Sequence, residues 1–286
     1  MKKKLAHSSR STSVKTIPMK IPRLFRTLIA FATCFAALTR TQAQTTGERA
    51  RGRGGEGEVH LVLTYTCPPQ NRPAFRAYME TKGVAQFEQW KKDGVMGNYL
   101  ILFSHFANAQ LEDMWVILDF TKFSDVAGWL AVERKSPGGL GAEALAIATP
   151  KTCVYTDKGW SGGKTNPDHA KSVYMMIPYQ TLVPADEYAD FVNRYVEPQL
   201  KFWVKSGIMH TYAVHIEQNP THAPWDSLLV FEYDGLRGIA LRDVVKQQVR
   251  DSALKDDPGY THFSPIKRTI RKELQPTTFD PILPKK

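Results

Sequence analysis

Gln86-Phe87-Glu88-Gln89-Trp90-Lys91-Lys92-Asp93-Gly94-Val95-Met96-Gly97-Asn98-Tyr99 returns 113 positions later as Gln199-Leu200-Lys201-Phe202-Trp203-Val204-Lys205-Ser206-Gly207-Ile208-Met209-His210-Thr211-Tyr212. Six positions repeat identically (Gln, Trp, Lys92/Lys205, Gly, Met and Tyr), and Val95 meets Ile208. Upstream the offset is 114, so that Val59-His60-Leu61-Val62-Leu63-Thr64-Tyr65 lies over Val173-Tyr174-Met175-Met176-Ile177-Pro178-Tyr179. Downstream, Asp113, Asp119 and Phe120 lie over Asp226, Glu232 and Tyr233. One residue gained or lost in the loop between first strand and first helix accounts for the step, and loops tolerate such changes. Self-similarity at a fixed offset sets the unit of folding. The unit is a module of roughly 100 residues, present twice.

Each copy reads strand, helix, strand, strand, helix, strand. Val59 to Tyr65 is a run of large apolar residues, and Pro68-Pro69 ends it. Asn71 and Pro73 then open a helix, since proline is tolerated in the first helical turn. Phe75, Met79, Phe87 and Trp90 recur at helical spacing, and Gly94 is placed to cap the helix. Gly83 in copy one and Pro198 in copy two predict a kink midway. Strands at Tyr99–Phe103 and Trp115–Phe120, a second helix at Asp125–Glu133, a short helix near Ala142–Ala148 and a last strand at Thr152–Tyr155 complete the module. Copy two predicts Val173–Tyr179, Tyr188–Lys205, Tyr212–Ile216, Ser227–Tyr233, Leu236–Val249 and a closing strand at Ile266–Ile270.

A βαββαβ order with right-handed crossovers gives an antiparallel sheet in the order 4-1-3-2 with both helices on one face. The strands are apolar on both sides, so the other sheet face needs a cover, which a second such sheet supplies. In element order, repeat and the paired Trp–Lys-x-Gly–x-Met–x-x-Tyr pattern, the chain resembles the dimeric α/β-barrel superfamily in tandem form, from about Glu58 to Glu273. The resemblance implies an α+β fold: two ferredoxin-like βαββαβ modules packed sheet to sheet as an intramolecular dimeric α/β barrel. The superfamily includes antibiotic-biosynthesis-type and haem-degrading monooxygenases, muconolactone-isomerase-like enzymes, and chlorite-dismutase-like and dye-decolourising peroxidases. Fold alone does not choose among them.

The formal net charge is +10, but residues 1–43 hold nine basic and no acidic side chains. Without them the chain carries 29 basic and 28 acidic residues, a net of +1. A nucleic-acid partner therefore loses its main support. Residues 1–43 have the layout of a secretory signal peptide: a positive stretch to Arg26, an apolar run from Leu28 to Leu38, and Thr41-Gln42-Ala43 at the cleavage site. The run is about half the ~20 residues a spanning helix needs. We therefore expect a periplasmic or secreted protein with no stable membrane anchor after cleavage. The expected organisation continues with a flexible linker at 44–58, module 1 at 59–158, a linker at 159–171 that contains Gly159-Trp160-Ser161-Gly162-Gly163, module 2 at 172–274 and a tail at 275–286.

Cys67 and Cys153 remain after cleavage, and an even count in an exported chain suggests a disulfide. In a 4-1-3-2 sheet the end of strand one lies beside the start of strand four, which predicts that these two pair. No CxxC, Cys/His cluster, P-loop, GxGxxG, nucleophile elbow or HExxH is present, and no metal site is expected.

Residues kept in both copies, Trp90/Trp203 and Tyr99/Tyr212, read as wedges between helix and sheet. Function is sought where polar residues differ: His60 faces Tyr174, His105 faces Gln218 and Leu102 faces His215. His60 points opposite to Leu61 and Leu63, into the barrel interior. His210 and His215 are five apart on a strand and so face opposite sides. Asp119 and Glu232 serve as general bases if their face lines a cavity, or as cross-strand ion-pair partners if it does not. The expected ligand-binding set is His60, Tyr65, His105 and Asp119, in a single pocket hosted by copy one. The favoured function is an exported small-molecule-binding protein, with cofactor-independent monooxygenase or isomerase activity and no predicted cofactor. A haem-binding oxidoreductase, implied by the resemblance with His215 or His262 as proximal ligand, is the first alternative. It lacks the GxxDG signature of the dye-decolourising branch. A non-catalytic structural or interaction module is the second.

Overall fold

Alternation along the first strand decides which way each side chain faces. The computed structural model describes residues 57–218 and 223–284, all within one unit of the chain, Thr46–Lys286. The expected signal peptide and the linker as far as residue 56 lie outside the described residues. In β1 (Val59–Thr66), Leu61, Leu63 and Tyr65 enter a core under the helices, while Val62 enters a second core on the opposite face. Pro69–Asn71 forms a 3-10 turn that leads into α1 (Arg72–Tyr78). A π-helical turn at Met79–Gly83 joins α1 to α2 (Val84–Lys92), and Gly94 then takes φ +73°. The strand β2 (Asn98–Ser104), β3 (Met114–Phe120), α3 (Val126–Glu133), α4 (Ala142–Leu145) and β4 (Thr149–Gly163) follow.

The same order begins again at β5 (Val173–Thr181). α5 (Ala185–Phe191), a π-helical turn at Val192–Val196 and α6 (Glu197–Lys205) precede β6 (Met209–Glu217) and β7 (Ser227–Tyr233). Both π turns are five residues long and lie 113 positions apart, and Gly207 takes φ +74° where Gly94 takes +73°. The midway irregularity expected from Gly83 and Pro198 is thus a π turn in both places. α7 (Gly235–Asp251), α8 (Pro258–Ile270), β8 (Arg271–Glu273) and β9 (Thr277–Pro281) end the described chain.

β4, β1, β3 and β2 lie side by side in that order, all antiparallel. β8, β5, β7 and β6 do likewise. Two seams join these sheets. The second part of β4 pairs with β6, from Thr156↔Glu217 to Gly163↔Thr211. β9 bridges β2 (Phe103↔Asp280) and β5 (Tyr174↔Phe279). The circuit β1-β3-β2-β9-β5-β7-β6-β4 therefore closes on itself as a barrel. Its middle is filled by Val62, Leu102, Trp115, Val154, Met176 and Phe279 among others, while two further cores lie between the sheets and their helices.

Four expectations are corrected. Residues 159–163, read as linker, continue β4, because the far half of that strand finds a partner in β6. The tail expected at 275–286 contains β9, whose Phe279 is wholly buried. The closing strand expected at Ile266–Ile270 is the end of α8. Asp257 caps that helix by accepting from the Tyr260 amide at 2.7 Å, and Tyr260, Phe263 and Ile270 pack into the helix–sheet core at helical spacing. Finally, Cys67 and Cys153 are free thiols. β4 begins at Thr149, opposite Thr66, so Cys153 falls opposite Leu63 while Cys67 lies beyond the end of β1. Burial, with the Asp113 carboxylate beside it, pushes the Cys67 thiol up to about 12.

Candidate functional site

Register brings the inward-facing polar residues of four strands into one row. His60 on β1 is the cross-strand partner of Asp119 on β3 and of Thr156 on β4. Next along β4, Lys158 partners His215 on β6. The side chains complete what the register begins. His60 Nδ1 donates to Asp119 Oδ1 at 2.7 Å, since a carboxylate can only accept. His215 stands edge-on to His60, with ring centroids 5.3 Å apart, and its Nδ1 shares a 3.0 Å hydrogen bond with Thr156 Oγ1. His60 Nε2 is buried and has no hydrogen-bond partner.

Beside this row a cavity of about 600 Å³ opens at the end of the barrel, lined by Asp119, Lys158 and His215 on one side and Tyr174 and Glu232 on another. Tyr174 and Glu232 are themselves cross-strand partners, on β5 and β7. They occupy the positions that His60 and Asp119 hold on β1 and β3. The Glu232 carboxylate is buried and accepts from Ser172 Oγ (2.8 Å), Thr211 Oγ1 (3.0 Å) and the Asn166 amide (3.2 Å). One wall thus carries the Asp119 carboxylate, with His60 buried behind it, and the other a phenol–carboxylate pair.

The electrostatics separate the two walls further. Burial favours the neutral form of Asp119, but the hydrogen bond and charge of His60, with Lys158 and His215, outweigh it and hold the carboxyl below the usual range. Burial, then His60 and Lys158, push His215 down to about 3, so its imidazole is neutral near pH 7. Burial first and Glu232 second raise the Tyr174 phenol, which stays protonated. The site therefore offers the carboxylates of Glu88, Asp119 and Glu232, the neutral His215 imidazole and Tyr174 phenol, and the Lys158 ammonium.

Of the four residues expected to line one pocket, the structure brings together His60 and Asp119. Tyr65 is wholly buried in the helix–sheet core, where its hydroxyl donates to the Gly138 carbonyl at 2.6 Å. His105 lies just past the far end of β2 and bonds Asp280 at 2.8 Å. Both are at the opposite end of the sheet from His60, as Tyr65↔Met114 and Phe103↔Met114 against His60↔Asp119 make plain. Lys158 and Thr156 had no place in the sequence-based site, because residues after Tyr155 were not read as strand. The inward parity of His215, shared with Ala213 and Thr211, was the available signal for it.

Asp119 and Glu232 do line a common cavity, and Asp119 also has an ion-pair partner in His60, so the two readings of that pair combine. Among the described residues, no group of three or more His, Cys, Asp or Glu side chains is placed to hold a metal ion. Haem fits the donor set poorly. His262 is on the exposed face of α8 and lines neither of the large cavities. His215 lines a cavity that also carries the carboxylates of Glu88, Asp119 and Glu232, and its Nδ1 is already engaged by Thr156 Oγ1.

No protein-family profile and no curated protein matches the chain. Solved structures do. A candidate monooxygenase of Lactobacillus acidophilus is 13% identical with a TM-score of 0.50, over 80% of this chain and 95% of that one. An anthrone oxidase-like protein is 13% identical with a TM-score of 0.49, over 80% and 92%. A mutant chlorite dismutase of Candidatus Nitrospira defluvii is 12% identical with a TM-score of 0.43, over 82% and 96%. At these identities the likeness is one of fold: the protein is α+β, with a sheet-rich barrel and helices.

Proposed function

We propose that this protein is an exported, duplicated dimeric α/β barrel that binds a small molecule in the barrel cavity and moves a proton on it without a cofactor. Duplication is supported by the repeat offset, the matching π turns and the matching glycines. Export rests on the layout of residues 1–43. The periplasm or the medium is the corresponding location.

The observation that carries the chemistry is the Asp119 carboxylate at the cavity wall, held by the buried His60 behind it. The Nδ1–H of His60 fixes the direction of that carboxylate. In this reading a weakly acidic O–H or C–H of the ligand gives its proton to Asp119. The resulting anion is balanced by Lys158 and oriented by His215 and Tyr174. Return of the proton at another atom is an isomerisation, whereas transfer of electrons from the anion to dioxygen begins an oxygenation. A purely structural module is the weaker reading, because an open cavity of about 600 Å³ is within the range of ligand pockets (roughly 300–1,000 Å³).

Native mass spectrometry of the mature protein, before and after denaturation, tests this reading. Asp119→Ala should release a small molecule that the wild type retains, and His105→Ala should keep it. Retention by Asp119→Ala would remove the assignment.

A further inference from the structure

A second cavity, of about 680 Å³, lies between the helices and the sheet that contains β5 and β7. Its floor is apolar and aromatic, with Ile177, Leu200, Trp203, Leu229 and Phe231. Its rim is not. Seven basic side chains and one carboxylate, Glu273, line it, and that carboxylate already accepts from Tyr179 Oη at 2.7 Å. Arg242, Lys246 and Arg250 stand four residues apart on α7, so they share one face of that helix. Lys267 on α8 and Arg271 at the start of β8 also line the cavity.

This arrangement works against the fold. Like charges four apart on a helix repel, and among the described residues none of these five bases has a carboxylate within ion-pair distance. Arg242 Nε, Arg250 Nε and Arg271 Nη1 are buried without a hydrogen-bond partner. Buried donors are normally satisfied, and an exception calls for a reason. The Arg271 guanidinium lies over the Tyr179 ring, 3.8 Å from its centroid, and 5.1 Å from that of Phe191. Bulk basicity does not explain the cluster, since the chain after residue 43 is nearly neutral. Burial and the neighbouring Arg250, Arg242 and Lys267 lower the Lys246 ammonium and outweigh the opposing Asp243 carboxylate, as expected where cations crowd.

We propose that this cleft is a binding site for a small amphipathic anion, an apolar or aromatic body bearing a carboxylate or phosphate. The body lies on Trp203 and Phe231. The anionic group meets Arg242, Arg250 and Arg271, whose N–H donors suit either headgroup. The site is distinct from the barrel cavity and does not depend on the chemistry assigned there. The cavity linings have no residue in common.

Calorimetric titration of the mature protein with 2-naphthyl phosphate, 2-naphthoate and uncharged 2-naphthol tests it. At least one of the anions should bind, naphthol much more weakly, and the tighter anion identifies the headgroup. Arg242→Gln/Arg250→Gln should weaken the anion by about tenfold or more. Lys82→Gln, on a base already paired with Glu143, should leave it unchanged. Should the double variant fail to fold, Arg271→Gln alone carries the same expectation. Asp119→Ala should bind naphthyl anions like the wild type, which separates this site from the barrel reading. Equal binding of naphthol and the anions, wild-type affinity in the arginine variants, or no binding of either anion at about 1 mM would overturn the proposal.

Discussion

His215 stands edge-on to His60, ring centroids 5.3 Å apart and planes at 89°, although the two strands that carry them belong to different halves of the chain and meet only through β4. Two imidazoles this close and this buried resist a second positive charge. His215, pushed down to about 3, stays neutral in the folded protein while it protonates near 6.5 in the unfolded chain.

That difference fixes the sign of a pH effect. Between about 6.5 and 3 the unfolded state binds one more proton at this site, so stability falls as pH drops through that window. The contribution approaches about 1.4 kcal/mol per pH unit. Asp119 adds to the loss at the acid end, since its lowered carboxyl stabilises the fold above its ordinary value and less as pH falls. Urea unfolding from pH 7 to 4 should show a shallower slope in His215→Gln than in the wild type. Identical slopes would place His215 in contact with water.

The thiols offer a check on register. Residues 44–286, unfolded without reductant, should titrate with two equivalents of free thiol, because Cys153 faces Leu63 and not the end of β1. None would mean that β4 is shifted along β1.

Core tryptophans should differ in weight. Trp129 and Trp203 are buried in their helix–sheet cores, and truncation to alanine should cost about 3–5 kcal/mol. Trp90, aligned with Trp203, is only half-buried at the edge of Phe87 and Trp129, so Trp90→Ala should cost less. Chemical denaturation of the three variants gives the order directly.

Barrel closure can be tested from the C-terminal strand. Phe279 on β9 is fully buried and packs near Trp115, with ring centroids 6.3 Å apart. Phe279→Ala should cost about 3–5 kcal/mol. It should also speed amide exchange in β2 and β5, the two strands β9 joins. Exchange confined to β9 would mean that the seam bears little of the barrel's stability.

Much of this fold was legible because apolar alternation and helical spacing are local. β1, β3, β7 and the helices from Arg72 to Lys92 and from Ala185 to Lys205 could be read that way. The seams could not. Gly159, Ser161, Gly162 and Gly163 lack strand character, and they extend β4 only because β6 supplies partners. Thr277–Pro281 likewise follows Pro276, ends on a proline, and takes its order from β2 and β5. The repeat suggested a closing strand at Ile266–Ile270, whereas the Asp257 cap and the Tyr260–Phe263–Ile270 stripe carry the helix through Pro265. The same division governs the site. His60 and Asp119 were visible by parity within one sheet, and His215 by the parity of its own strand, but Thr156 and Lys158 lie on a stretch of β4 that is drawn into strand where β6 pairs with it.

Each half of the barrel completes the other with a borrowed length of strand, β4 laid on β6 and β9 inserted between β2 and β5. Neither half alone satisfies the backbone of its outer strands, so a dissected half would present open edges. The same hydrogen bonds can be made by a second copy of the chain, which makes the two seams the natural points of exchange between molecules. In a concentrated sample, swapped dimers would join along β4–β6 or β2–β9–β5 and leave the helix–sheet cores intact.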